Sequence, residues 1–440
     1  MDLPKTQRAW IVERTGPPAK ALSLRSDWPV PSQLKPGDVL VKVQAAALNP
    51  VGYKLMKFLP TFMHSGRPLP AEHDLAGEIV DGNGTRFSAG DQVFGFIPVG
   101  TMHVSCAFLL FLISSPEELS QVIRQGALTQ YVRMPADNLV IRPHHISPVE
   151  AAGITLVAET AYEGLIDIAR LEAGQSVLIN GGSSAVGAYA IQIAKAKGAR
   201  VVATASGKNE AFVRKMGADE FIDYTKTPLH KYLEANPPTP KFHIILDAVA
   251  LTDISLYSHS PAYLVPNGIF LSTGPVPKNL SPPEIWKVLT TVFSAYLRPG
   301  WLGGVKRRYK MYMLVHKKER LDAIRQMIVD GFITPPVDSV YDFDEALKAY
   351  DRLMSQPLVK LLEAARISSK RPASVPSEQA HAKALNELDR TKLDLMKSIS
   401  DMESLVASQE AELTKLKDEA RRLEEYDPAL EHQKELGSSA

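Results

Sequence analysis

The chain has 440 residues, of which 45% are hydrophobic and 22% charged, a composition typical of a globular protein with two or three domains. The 50 Lys and Arg residues balance the 49 Asp and Glu residues, which predicts neither nucleic acid nor an anionic membrane as a partner. The single cysteine, Cys106, excludes an intrachain disulfide and a zinc site built from several cysteines. The N-terminus has no apolar run and no segment has the roughly 18–20 apolar residues of a membrane span, so we expect a cytoplasmic protein.

The first 95 residues predict short strands separated by turns, as in a small β-domain of barrel type. A strand at 38–45 follows a Lys-Pro-Gly turn and alternates polar and apolar residues, which is the pattern of a half-buried strand. Further strands are predicted at 8–12, at 74–80 and after the turn at 88–91.

A strand, a glycine turn and a helix follow at 176–195. The apolar run at 176–179 is typical of a parallel strand buried on both faces. Small residues in the turn let the backbone approach a pyrophosphate at the helix N-terminus, although Ser184 stands where a glycine is usual. The pattern favours a dinucleotide site over a plain tight turn. The residues expected to bind are Gly181, Ser183, Ser184, Ala185, Val186 and Gly187.

The next strand, at 199–205, indicates which dinucleotide binds. NAD sites usually end this strand with a carboxylate that holds the ribose 2′-hydroxyl. Here Ser206, Lys208 and Asn209 follow Ala205, and a 2′-phosphate would be held by the hydroxyl and the ammonium group. We therefore expect NADP(H). The alternative is that Lys208 is only a solvated charge at a helix start.

Several stretches resemble medium-chain dehydrogenases/reductases, over roughly residues 5–355. They are the segments 35–41, 47–50, 74–77, 89–95 and 215–219, together with the order of a β-domain before the glycine turn. Within that superfamily the chain is most similar to the zinc-free branch of quinone oxidoreductases and trans-acting enoyl reductases. The resemblance implies an α/β fold with a GroES-like β-domain at 1–148, a return segment at 335–364, and a Rossmann doubly wound parallel sheet at 149–334. The active site would lie in the cleft between the two domains.

The resemblance also implies site residues. Further cofactor-binding residues would be Thr160, Tyr224, Leu271 and Thr273. Asn49, Tyr53 and Lys54 lie where family residues face the nicotinamide, with Tyr53 as a proton donor and Asn49 bound to substrate or ribose. Packing of Tyr53 and surface exposure of Lys54 are the alternatives. The substrate would be a small molecule, either an enoyl thioester, a carrier-bound acyl group or an enone, or else a quinone, and we expect a homodimer.

The zinc positions of the family depart from its pattern. Zinc-dependent members carry a cysteine near residues 49–52 and a Gly-His-Glu sequence before the later strand. Here the first position has no cysteine and the second is Glu72-His73-Asp74. A histidine and a carboxylate alone do not complete a tetrahedral zinc site. We therefore predict no zinc and interpret His73 as a residue at a strand edge.

Two regions have no counterpart in the family. The apolar segment 99–125 has two interpretations, a lipid-facing loop or a retained intron translated in frame, and we favour the intron. After 355 the returning strand of the family is replaced by an altered sequence, followed by a polar linker at 366–380 and a coiled coil at 381–427. The coiled coil resembles that of fungal kinetochore small subunits, which would imply a coiled-coil partner and a nuclear location, or a fused gene model. A cofactor-binding sensor without turnover and a coiled-coil assembly protein remain the alternative functions.

Overall fold

The structure is a computed structural model that describes residues 3–58, 68–97, 125–275, 277, 281–297, 304–355 and 362–366. The apolar segment 99–124, the linker beyond Arg366 and the predicted coiled coil at 381–427 lie outside these residues. Within the described ranges, no helix combines the length and the apolar character needed to cross a membrane.

Sixteen strands and eleven α-helices lie in the described residues. The strands are β1 (Thr6–Val12), β2 (Leu22–Pro29), β3 (Asp38–Leu48), β4 (Leu69–Pro70), β5 (Asp74–Asp81), β6 (Gln92–Phe96), β7 (Tyr131–Pro135), β8 (Leu139–Ile141), β9 (Ser176–Asn180), β10 (Arg200–Ala205), β11 (Glu220–Asp223), β12 (Phe242–Asp247), β13 (Leu264–Ser272), β14 (Arg308–Met311), β15 (Val337–Asp342) and β16 (Leu362–Arg366). The helices are α1 (Pro18–Ala21), α2 (Pro50–Phe58), α3 (Pro148–Ala152), α4 (Thr155–Tyr162), α5 (Ala185–Ala196), α6 (Glu210–Lys215), α7 (Leu229–Ala235), α8 (Ser255–Ser258), α9 (Pro282–Tyr296), α10 (Lys318–Val329) and α11 (Ala346–Ser355).

The first part of the chain forms a three-stranded sheet, ordered β2-β1-β4, and a larger sheet, ordered β15-β16-β3-β5-β6-β8, in which β7 also pairs with β3. The predicted alternation of β3 holds at Lys42, which is exposed between buried Val41 and Val43. Its second half is buried on both faces, because Ala45 and Ala47 share a core with Ala151 of α3. The small alanine side chains allow the helix to approach the sheet closely.

A strand lies where the family has its returning strand, although the sequence after 355 departs from the family pattern. Strand β16 pairs antiparallel with β3, with Glu363 opposite Leu48 and Arg366 opposite Ala45. It also pairs in parallel with β15. Arg366, the first residue of the predicted linker, is therefore part of a strand. The strand begins at Leu362, and its pairing with β3 satisfies backbone hydrogen-bonding groups that an open edge would leave unpaired.

The second part of the chain is a parallel six-stranded sheet, as predicted. Its order is β11-β10-β9-β12-β13-β14, and every neighbouring pair is parallel. This is the doubly wound order in which ligands bind at the switch point, here between β9 and β12. The glycine turn after β9 lies at that point. The fold class predicted from the sequence is thus confirmed for the described residues.

A buried arginine joins the helical segment before the parallel sheet to the helix after it. Arg320 of α10 has a side chain that is 2% exposed and faces three carboxylates spaced four residues apart along α4 and its continuation. Its guanidinium nitrogens lie 3.6 Å from Glu159, 3.4 Å from Glu163 and 2.7 Å from Asp167. His316 adds a contact of 2.8 Å to the same Glu159 carboxylate. The helical spacing of these acids makes one face that only a buried cation can neutralise.

We expect Arg320→Ala to lower the free energy of unfolding by roughly 3–5 kcal/mol, because the change leaves buried carboxylates without their cation. The matched control is Arg214→Ala, which removes an exposed pair with Glu210 four residues away and should cost about 0.5 kcal/mol or less. Urea unfolding of both variants measures the difference. Equal losses in the two variants would contradict a structural role for the Arg320 cluster.

Candidate active site

The glycine turn after β9 has the geometry of an anion site. Gly181 has φ +86°, a left-handed conformation that favours glycine. At Gly187 a Cβ would lie 2.1 Å from the Gly181 carbonyl oxygen, so the first turn of α5 can approach the loop only without a side chain. The Ser184 hydroxyl caps α5 by accepting the Gly187 N–H at 3.0 Å. The N–H groups of Ala185 and Val186 begin the helix, where amides have no intrahelical acceptor and attract anions.

A buried polar network fixes this turn from below. The Gly181 N–H donates to the Thr204 hydroxyl (3.1 Å), which donates to the Asn180 amide oxygen (2.8 Å). The Asn180 amide nitrogen donates to Asp247 at 3.0 Å, and Asp247 also accepts the N–H of Leu251 at 2.9 Å. Burial raises the pKa of Asp247 above its usual range. Sequence analysis missed these three side chains. Their signal was a polar residue at or near the end of each of three neighbouring apolar strands.

The residues expected to select NADP(H) lie together at the ends of β10 and β11. Asn209 donates its side-chain amide to the Ser206 hydroxyl (3.1 Å) and to the Ser183 hydroxyl of the turn (3.4 Å). Lys208 is exposed beside them, and the Tyr224 N–H approaches the Ala205 carbonyl at 3.4 Å. The structure therefore brings the predicted adenosine-side residues to one place.

Asp223, which sequence analysis missed, adds a carboxylate to this edge. A Cβ on Gly207 would lie 2.6 Å from its Oδ2 atom. Hydrogen bonds from the Thr225 hydroxyl (2.6 Å) and N–H (3.0 Å) lower the pKa of Asp223, so its charge persists near the expected 2′-phosphate. Asp223 ends β11 rather than β10, and only the parallel pairing of these two strands places it beside Gly207.

The remaining predicted cofactor residues lie at the ends of β13 and α4. Leu271 is buried in β13, so a contact with the cofactor would fall to its backbone. Thr273 follows the strand and its N–H donates to the Asp247 carbonyl at 3.3 Å. Thr160 donates its hydroxyl back to the Leu156 carbonyl within α4 at 2.6 Å. A lone pair of that hydroxyl, rather than its hydrogen, is what it can offer to a ligand.

Asn49, Tyr53 and Lys54 lie where β3 passes into α2. Asn49 is 1% exposed, and its side-chain amide nitrogen donates to the Asp74 Oδ2 atom at 2.8 Å. One N–H of the amide is therefore committed to Asp74, and a contact with substrate or ribose would fall to the amide oxygen or to the second N–H. Tyr53 is half-buried against the core of the β-domain, and burial raises the pKa of its phenol. Lys54 is partly exposed.

Asp74 connects this loop to the helix that carries Thr160. Its Oδ1 atom accepts the Leu156 N–H of α4 at 3.1 Å, while Oδ2 accepts Asn49. Beside it, the Glu72 carboxyl accepts the Asn49 N–H at 3.1 Å and the Tyr350 hydroxyl at 2.5 Å. Burial is the main cause that raises the pKa of Glu72 to about 8 and that of Asp74 to about 7. Two buried carboxyls thus anchor one loop.

The residues at the zinc positions of the family do not fit zinc. Asn49 stands near the expected cysteine and is held by Asp74 and Glu72. No group of three metal-binding side chains occurs in the part of the chain that the structure describes. A histidine whose carboxylate neighbours are bonded elsewhere has no partners with which to close a tetrahedron. The absence of zinc itself remains a prediction.

The buried Glu72 carboxyl predicts a stability that depends on pH. Its pKa is raised in the fold, so its contribution is full below the unfolded value of about 4.5 and is lost as the pH rises through about 8. The loss reaches at most about 5 kcal/mol, and Asp74 acts in the same direction. We expect the Tm to fall between about pH 5 and 8 and Glu72→Gln to flatten that slope. Glu345→Gln, an exposed carboxylate beside Lys348, is the control, and an equal slope in both variants would contradict the assignment.

Comparison with known proteins matches two segments of the chain to described families. Residues 35–144 match the alcohol dehydrogenase GroES-like domain, and residues 216–357 match the zinc-binding dehydrogenase family. The first segment contains the Asn49 loop with its two carboxyls, and the second contains Asp247. The glycine turn lies between the two matched segments, so its assignment rests on its own geometry.

The chain is 31% identical over 362 residues to the trans-enoyl reductase pgmF of Aspergillus terreus, covering 80% of this chain and 94% of the relative. It is 34% identical over 257 residues to the chloroplastic NADPH-dependent alkenal/one oxidoreductase of Arabidopsis thaliana, covering 57% of this chain and 59% of the relative. A solved alcohol dehydrogenase superfamily protein from Novosphingobium aromaticivorans is 27% identical and superposes with a TM-score of 0.62, covering 82% of this chain and all of that one. The chain belongs to the medium-chain dehydrogenase/reductase superfamily of nicotinamide-dependent oxidoreductases.

Proposed function

We propose that this protein is an NADPH-dependent reductase of carbon–carbon double bonds conjugated to a carbonyl group, in an enoyl thioester or an enone. The observation that carries the proposal is the turn at Gly181–Gly187, followed by Ser206, Lys208 and Asn209 in place of a carboxylate at the end of β10. The names of the relatives, a trans-enoyl reductase and an alkenal/one oxidoreductase, support this substrate class.

Bound NADPH would supply the hydride that reduces the β-carbon of the substrate. The glycine turn and the N-terminus of α5 hold the pyrophosphate, and the Asn180–Thr204–Asp247 network keeps the turn in place. Ser206 and Lys208 would hold the 2′-phosphate. These interactions would fix the position of the cofactor relative to the cleft. Positioning of the hydride donor is the main contribution of the protein to the rate of the reaction.

Reduction of the double bond also needs a proton at the α-carbon and a donor for the charge that develops on the carbonyl oxygen. Tyr53 would donate a hydrogen bond to that oxygen, because its phenol is protonated near neutral pH and burial raises its pKa further. Lys54 would support the developing negative charge. Asn49 acts mainly by position, since its amide nitrogen is bonded to Asp74.

We also propose the domain limits 1–148 with 335–364 and 149–334, a homodimer, a carrier-bound acyl substrate, the absence of zinc and a cytoplasmic location. The coiled-coil partner concerns residues outside the described ranges.

The deciding experiment is a titration of the full-length protein with NADPH and NADH by nicotinamide fluorescence, followed by turnover of an enone, an enoyl thioester and a quinone. Tighter binding of NADPH with turnover of the enone or thioester supports the proposal. Turnover of the quinone alone would overturn the substrate class. Binding without turnover would favour the sensor alternative, and binding of neither cofactor would refute the cofactor site.

We expect Lys208→Glu to reduce the preference for NADPH over NADH roughly 10- to 100-fold, the effect of exchanging a charge-assisted bond for repulsion. Asp223→Asn should raise that preference, because it removes a negative charge beside Gly207. Lys231→Glu, an exposed lysine on α7, is the charge-matched control. Ratios of kcat/KM for the two cofactors measure the effect, and a preference that Lys208→Glu leaves unchanged would refute the phosphate-binding role.

A further inference from the structure

Glu72 occupies an unusual backbone position beside the proposed active site. Its φ is +64°, in the left-handed region that non-glycine residues rarely adopt, and its side chain is buried, with the residue 2% exposed. It stands where the zinc-dependent members of the family carry the glycine of Gly-His-Glu. A strained conformation of this kind persists only when surrounding contacts hold it.

Three contacts hold the Glu72 carboxyl, and they come from two segments of the chain. Its Oε1 atom accepts the hydroxyl of Tyr350, which is fully buried on α11, at 2.5 Å. Its Oε2 atom accepts the backbone N–H of Asn49 at 3.1 Å. Oε1 also packs directly against Gly52, where an added Cβ would lie only 2.2 Å away. One side chain therefore ties the residues before β5 to α11 and to the loop at Asn49–Gly52.

That loop carries the groups on which the proposed reaction depends. Gly52 precedes Tyr53 and Lys54 directly in α2. Asp74 holds the side chain of Asn49 and Glu72 holds its backbone, so the start of α2 is fixed at two points. If the Glu72 contact is lost, the Asn49 N–H loses its acceptor, while the side-chain bond of Asn49 to Asp74 is kept.

We propose that Glu72 is a positioning residue, which holds the loop presenting Tyr53 and Lys54 to the substrate through its bonds to Asn49 and Tyr350. The catalytic part of this inference rests on the proposed reductase function. The structural part, that Glu72 and Tyr350 order the loop, stands independently and has its own measurement.

The experiment uses full-length Glu72→Gly, Tyr350→Phe and their double variant. Hydrogen–deuterium exchange of the peptide covering 49–58 should accelerate in each variant. With an enone substrate, kcat should fall roughly 10- to 100-fold in Glu72→Gly, while KM for NADPH stays within about twofold, because the cofactor pocket is untouched. The loss in the double variant should be less than the product of the two single losses, since both remove one linkage.

Two further variants separate positioning from general destabilisation. Glu72→Gln keeps a carbonyl acceptor and should restore most of the kcat that Glu72→Gly loses. Tyr263→Phe removes another buried tyrosine hydroxyl with a 2.5 Å bond, to the Leu256 carbonyl, and should change neither exchange at 49–58 nor kcat beyond the effect of its lower stability. If Glu72→Gly does not fold, Tyr350→Phe compared with Tyr263→Phe gives the same comparison.

Unchanged exchange at 49–58 in both Glu72→Gly and Tyr350→Phe would overturn the inference. So would a loss of kcat in Tyr263→Phe as large as that in Tyr350→Phe. A wild-type protein that turns over no enone or enoyl thioester would instead refute the proposed function, and the exchange measurement would still decide whether Glu72 orders the loop.

Discussion

The Asp74 carboxylate is the constraint on which the proposed site depends. One oxygen accepts the Asn49 side chain at the start of α2, and the other accepts the Leu156 backbone in α4. The first residue belongs to the β-domain and the second to the helical segment that leads to the parallel sheet. A single buried group thus sets the distance between the loop of Tyr53 and the helix of Thr160. A buried carboxyl group that accepts two hydrogen bonds is costly to leave unpaired, and its bonds are strongly directional. Both properties favour a fixed position of the Asn49 loop relative to α4.

The cofactor side is organised by the same kind of interaction. Asn180, Thr204 and Asp247 end or nearly end three neighbouring parallel strands, and their side chains bond to one another beneath the glycine turn. The carboxyl ends of parallel strands lie at the same edge of the sheet, so polar residues at those ends come into contact. The turn is consequently held by side chains as well as by its own glycines.

The carboxyl groups near Asn49 and the carboxylate near Lys208 lie in different environments. Near Asn49 the carboxyls of Glu72 and Asp74 are buried, and burial raises their pKa. Near Lys208 the carboxylate of Asp223 stays charged because it accepts bonds from Thr225. The first arrangement favours a rigid anchor. The second leaves opposite charges close to the proposed place of a 2′-phosphate, where both would contribute to the choice of cofactor.

By itself the sequence determined the local features. Apolar runs marked the buried parallel strands, Gly181 and Gly187 marked a turn that no larger residue fits, and the residues after Ala205 indicated the cofactor. These follow from backbone preferences and short spacing, which act within a few residues. Only the tertiary structure decided that Glu72 meets Tyr350, 278 residues away, that Asp223 lies beside Gly207, and that β16 fills the edge next to β3. Those contacts depend on which strands pair and which helices cover them, and this is settled by the packing of the whole chain.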